Sequence, residues 1–206
     1  MNILFNVFQF VGTVSFAISG AMEGIRHKMD LFGVIMLGII TSTGGGILRD
    51  IVIGSIPPQV FHDPTWAIVA LVVSLLVFIV LRCSQKAGSN LARAGEALNF
   101  VADTGGLATF TVLGIETAGN GNFVLLLFVG MITGVGGGIL RDVLAGSVPS
   151  IFRKHIYALA SVAGATADIL LMRILPKEAA MLIAFTVVVL IRVLARHFKW
   201  NLPRIE

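Results

Sequence analysis

Charged side chains make up only 13% of the 206 residues, so the few that lie inside apolar sequence stand out as candidates for chemistry. Foremost are two Arg-Asp pairs, Arg49-Asp50 and Arg141-Asp142. Each follows three consecutive glycines: Gly44, Gly45 and Gly46 in the first case, Gly136, Gly137 and Gly138 in the second. The surrounding strings TSTGGGILRDIVIGSIP (41–57) and TGVGGGILRDVLAGSVP (133–149) agree at eleven of seventeen positions. Each glycine costs about 1 kcal/mol of helix propensity relative to alanine, so a triplet inside an apolar helix invites a break or kink. A broken helix at membrane depth frees backbone carbonyls, which can coordinate cations where they face a cavity. Small residues also let unbroken helices pack closely. Both readings stay open here, and the repetition of the triplet beside charges favours the kink. Ionisable groups at such depth cost about 2.5–3.5 kcal/mol each, so the four charged residues are expected to face a bundle interior or an aqueous cavity. Consecutive residues on a helix do not face one another, which predicts that Arg49 and Asp50 find other partners.

Asp103 and Asp168 are the acids available inside apolar sequence, and Asp168 is expected to contact Arg49 in preference to Asp103. An arginine in a narrow cation path repels the ion, so Arg49 and Arg141 read as gates or latches. The segments VGTVSFAISGAMEG and VADTGGLATFTVLG carry hydroxyls, and Thr13, Ser15, Ser19 and Thr104 are candidates to line a polar path. Ser and Thr also bond their own helix carbonyls. Glu23, Glu96 and Glu116 lie near span ends and read as solvated carboxylates. A phosphate loop is excluded in detail: it needs Lys-Ser/Thr after the last glycine, and Ile-Leu-Arg-Asp follows here. The histidines (His27, His62, His155, His197) are scattered, Cys83 is alone, and no nucleophile–base set is present, so neither a metal site nor an enzyme is expected.

The elements that must hold these residues are membrane helices. Uncharged stretches cover 3–22, 31–48, 64–81 and 117–140, and about 20 apolar residues span a bilayer core of about 30 Å. Three further spans, near 94–114, 155–173 and 178–198, are interrupted by Asp103, Asp168 and Arg192. The first span has no basic segment before it and reads as a retained helix, not a signal peptide. With seven spans, twelve cations fall on one side and three (Arg49, Arg173, Lys177) on the other. This asymmetry predicts an outside N-terminus and a cytoplasmic C-terminus, and it accounts for the net charge of +4 without nucleic acid. The expected fold is an all-α membrane protein of seven transmembrane helices, with two inverted three-helix repeats plus a seventh helix. The divisions are 1–90, 91–175 (inverted) and 176–206, the last holding the seventh helix and a cytoplasmic tail. Because three is odd, the two GGGILRD copies run antiparallel, with Arg49 toward the outer face and Arg141 toward the inner, a design common in transport proteins.

Seven spans, a three-plus-three repeat and duplicated GGG-x-x-R-D segments followed by Gly and Pro resemble the trimeric intracellular cation channel family. The closer likeness is to its prokaryotic branch, whose repeated domain also carries the label "glycine transporter". The resemblance implies a homotrimer in the prokaryotic inner membrane, each protomer holding a pore flanked by helices kinked at Gly44–Gly46 and Gly136–Gly138. It implies permeation of monovalent cations, chiefly potassium, with Arg49, Asp50, Arg141 and Asp142 as adjoining charged positions. No cofactor is expected; the ligands would be permeant K+ or Na+ and bound lipid. The alternative is a secondary transporter of glycine or another small solute, because inverted repeats with broken helices suit carriers as well.

Overall fold

The computed structural model of the chain describes residues 3–86, 91–153 and 156–200. Lys154, His155 and Arg204 lie outside these residues, as do the side chains of Lys86, Arg93 and Arg153. The described residues form helices and no strands: α1 (Ile3–Arg26), α2 (Leu31–Val52), α3 (Gln59–His62), α4 (Thr65–Lys86), α5 (Leu91–Ala118), α6 (Phe123–Leu144), α7 (Ser150–Arg153), α8 (Ile156–Leu171) and α9 (Lys177–His197). Six are long and apolar enough to cross a membrane, and α8 is a shorter apolar helix of 16 residues. This is an integral membrane protein of the expected all-α class.

Local sequence sets the boundaries, and it does so twice. Asp30 caps α2 by accepting the Gly33 N–H at 2.7 Å, and Asn122 caps α6 by accepting the Leu125 N–H at 2.8 Å. At the far ends Gly54 (φ 76°) and Gly146 (φ 70°) adopt the left-handed conformation. The next N–H groups, of Ser55 and Ser147, then reach back to the Asp50 and Asp142 carbonyls at 2.8 Å. This closing geometry satisfies carbonyls that a helix end otherwise leaves orphaned. The uncharged stretch 117–140 is not one span: α5 runs to Ala118, Gly119 (φ 62°) breaks it, and Asn122 starts the next helix.

The core is built on close approach between equivalent helices of the two halves. A Cβ on Gly45 would collide with the Thr133 carbonyl oxygen, and a Cβ on Gly137 with the Thr41 carbonyl oxygen. Phe16 of α1 meets Phe110 of α5 with ring centroids 5.3 Å apart. Within each half, Gly20 lets α1 rest on Thr41 of α2, and Gly114 lets α5 rest on Thr133 of α6. The contacts are reciprocal, as two inverted repeats related by a pseudo-twofold axis require. Helix α5 is central, with 72% of its apolar window buried, whereas α4 has 11% and turns most of its surface outward. Helix α9 packs on α5 and α8.

Candidate functional site

Asp50 and Asp142 each divide their two oxygens between different tasks. Oδ1 of Asp50 accepts Nε of Arg49 at 2.8 Å and lies 2.7 Å from Nη2; in the second copy the Arg141–Asp142 distances are 2.9 and 2.8 Å. Oδ2 accepts a backbone N–H at the start of a short helix: Gln59 of α3 at 2.8 Å, or Ser150 of α7 at 2.6 Å. The carboxylate therefore fixes the guanidinium and anchors the returning chain at once. All four side chains are buried, as ion pairs with satisfied hydrogen bonds can be.

One expectation fails here for a geometric reason, and a second fails in part. Arg49 contacts neither Asp168 nor Asp103; its partners are Asp50 and, through Nη1, the Thr117 hydroxyl at 3.3 Å. The rule that neighbours face apart describes Cβ directions, but a long arginine folds back far enough to reach the next carboxylate. The glycines also do not break their helices, since α2 and α6 stay helical through both triplets; this removes the break and not the kink, which a continuous helix allows. Each glycine meets a different neighbour instead. The first faces a leucine of the other copy (Gly44 to Leu140, Gly136 to Leu48), and the second meets the opposing backbone. The third, Gly46 or Gly138, lies beneath its own arginine, with Nη2 3.8 Å from where a Cβ would stand, and at Gly138 the Tyr157 hydroxyl is nearer still, at 2.9 Å. Close packing, the other reading of the triplet, describes these contacts.

At the Arg141 end the pair extends into a network. Arg141 Nη1 donates to Ser19 at 2.5 Å and to Asp103 Oδ1 at 2.8 Å, tying α6 to α1 and α5. Asp103 Oδ1 also accepts the Tyr157 hydroxyl at 3.2 Å, and Oδ2 accepts Arg192 Nη2 at 3.1 Å. Arg192 lies over the rings of Tyr157 and Phe100, 4.6 and 5.1 Å from their centroids. Ser19 donates to Asn99 at 2.9 Å. Of these groups, Asn99, Phe100, Asp103, Arg141 and Arg192 line a cavity of about 620 Å³, whose wall also includes Glu23, Glu96, Arg26, Arg196 and Trp200. The network can hold three helices together through charge, and the cavity mixes both signs over a polar surface.

The other expected residues are more scattered. Thr13 and Thr104 are buried with hydroxyls that have no hydrogen-bond partner among the described residues, and Ser15 faces Gly105. Asp168 is completely buried, and neither carboxylate oxygen has a hydrogen-bond partner among the described residues. Glu116 is not a solvated carboxylate: its side chain is 1% exposed and pairs with Lys177. Glu23 is likewise buried, with Arg26 at 3.7 Å and His27 at 3.4 Å. Sequence reasoning missed Arg192, Tyr157 and Asn99 as network members. The one available signal was that Arg192 interrupts the apolar run of the last span.

Fold and site together define a polytopic membrane protein of inverted repeats with a polar, charge-linked cavity at one end. A family model described as "Glycine transporter" matches residues 6–82 and 100–173, and the chain belongs to this family. The UPF0126 inner membrane protein YadS of Escherichia coli K12 is 39% identical over 199 residues, covering 94% of this chain and 92% of YadS. Two solved structures match over almost their whole length. One, from work on conductance through TRIC cation channels, has a TM-score of 0.84 at 34% identity and covers 99% of this chain and 98% of that chain. The other, a prokaryotic TRIC channel, has a TM-score of 0.88 at 29% identity, covering 98% and 100%. The likeness to trimeric intracellular cation channels read from the GGGILRD copies thus extends to the whole fold.

Proposed function

We propose that the protein is a cation channel of the prokaryotic inner membrane, conducting potassium through a path inside each protomer of a homotrimer. The carrying observation is the near-complete match, at 34% identity, to a structure from work on conductance through cation channels. The site suits that reading. The 620 Å³ cavity has Glu23, Glu96, Asp103 and Asp142 on its wall, and every buried arginine there has an acid beside it that offsets its repulsion of a cation. Arg141 acts as a latch across α1, α5 and α6, and Arg49 with Asp50 is its counterpart at the opposite end. Thr13, Ser15 and Thr104 offer hydroxyls to the path between them. No part of this reading calls for a cofactor, and lipid is the expected partner of the apolar outer surface.

Purified protein in planar bilayers tests it: discrete unitary currents in potassium salts, reversing near the potassium equilibrium potential under a gradient, are expected. The family model's description favours one second reading, a carrier for glycine. A carrier gives saturable counterflow of labelled glycine and no unitary currents. That result replaces the channel.

A further inference from the structure

Helix α9, the seventh of the membrane-spanning helices, has no counterpart in the first repeat, yet it places a buried guanidinium on the acid that the Arg141 latch uses. Arg192 is 6% exposed and reaches Asp103 Oδ2 at 3.1 Å, while Arg141 holds Oδ1 at 2.8 Å. At the other end, among the described residues, Arg49 has only Asp50 and Thr117, and no cation competes for its acid. Two cations on one carboxylate divide its charge, so each bond is weaker than it would be alone. The stacking of Arg192 on Tyr157 and Phe100 fixes the guanidinium where it can share but not replace the Arg141 contact.

We propose that Arg192 is a positioning residue of the seventh helix that sets the strength of the Arg141 latch by sharing Asp103. It touches no permeant ion in this role and acts through the carboxylate. The inference rests on the channel reading, and it assigns α9 a task beyond packing: movement of α9 toward Asp103 loosens the latch, and movement away from it tightens the latch. Tyr157 belongs to the same competition, since its hydroxyl uses the oxygen that Arg141 uses.

Single-channel recording of purified Arg192→Gln and Arg192→Lys proteins in potassium chloride tests this. With Arg192→Gln, Asp103 turns to Arg141 and open probability falls about tenfold, the scale of one charged hydrogen bond. Unitary conductance does not fall, because a cation has left the cavity wall. Arg192→Lys keeps the charge and restores opening. An Arg192→Gln channel that opens as often as the wild type overturns the proposal, as does a lysine variant as impaired as glutamine. If Arg192→Gln does not fold, Tyr157→Phe takes its place and must lower open probability in the same direction; unchanged opening overturns the idea. If the wild type gives no unitary current, the channel reading falls, and the sharing of Asp103 is judged separately. Tyr157 is the only tyrosine, so ultraviolet resonance Raman reads its hydroxyl bond directly. A signal altered by Arg192→Gln and restored by Arg192→Lys supports the sharing, and an unaltered one overturns it.

Discussion

Three adjacent glycines look redundant until each is matched to what it touches. Gly137 lies against the Thr41 carbonyl and Gly45 against the Thr133 carbonyl, so an added methyl at either position has no room. Gly46 has open space apart from the Arg49 guanidinium, 3.8 Å from a Cβ. Alanine is therefore expected to have opposite effects at the second and third positions of the triplets. Gly137→Ala should destabilise the protein by about 1–3 kcal/mol, as overpacking does, and Gly46→Ala should be neutral or gain up to about 1 kcal/mol of helix propensity. Thermal unfolding of the two variants in detergent, followed by circular dichroism, separates them, and equal losses would remove this account of the triplet. At this scale the sequence announced which residues matter but not how. A glycine's neighbour lies on another helix, and an arginine's reach depends on rotamers that spacing does not encode. Arg49 consequently pairs with the adjacent residue that the spacing rule set aside.

Among elements, the repeated unit is longer than the helix and its motif: it includes the turn and the short helix that follows. Asp50 and Asp142 hold the starts of α3 and α7 through one oxygen and an arginine through the other. Neither four-residue helix is legible beforehand, because such short pieces carry no periodicity and depend on that distant carboxylate. The long helices were legible from apolar length, and their ends from Asp30, Asn122, Gly54 and Gly146. Asp142→Asn is expected to cost about 3–5 kcal/mol, the scale of leaving a buried arginine uncompensated. Asp30→Asn should cost little, since asparagine caps helices as well as aspartate. Asp168 supplies a contrast. Among the described residues it has no arginine to strand, so Asp168→Asn should reduce the unfolding temperature less than Asp142→Asn does. A larger loss at Asp168 would mean that its carboxylate has a partner these contacts do not explain.

Over the whole molecule, duplication with inversion accounts for the reciprocal contacts at the centre, and the seventh helix accounts for the difference between the two ends. The inversion was legible because two copies separated by an odd number of spans must point opposite ways. The inequality was only half legible: the sequence has no acid within 3–22 or 64–81 to match Asp103 and Asp168, but the union of Asp103 with Arg192 needed the packing of α9 on α5. The same arrangement sets up a test of orientation using the chain's single cysteine. Cys83 is exposed at the C-terminal end of α4, on the side of Arg141, while Asn120 is exposed in the turn between α5 and α6, on the side of Arg49. The excess of cations on the Cys83 side predicts that this side is cytoplasmic. A membrane-impermeant thiol reagent added to intact cells should leave the wild-type protein unlabelled. It should label an Asn120→Cys variant made in a Cys83→Ser background, and opening the cells should expose Cys83. The reverse pattern would invert the orientation and put the Arg141 cavity outside. Labelling of both positions from one face would be incompatible with an odd number of crossings between them, and the membrane arrangement of the repeats would have to be redrawn.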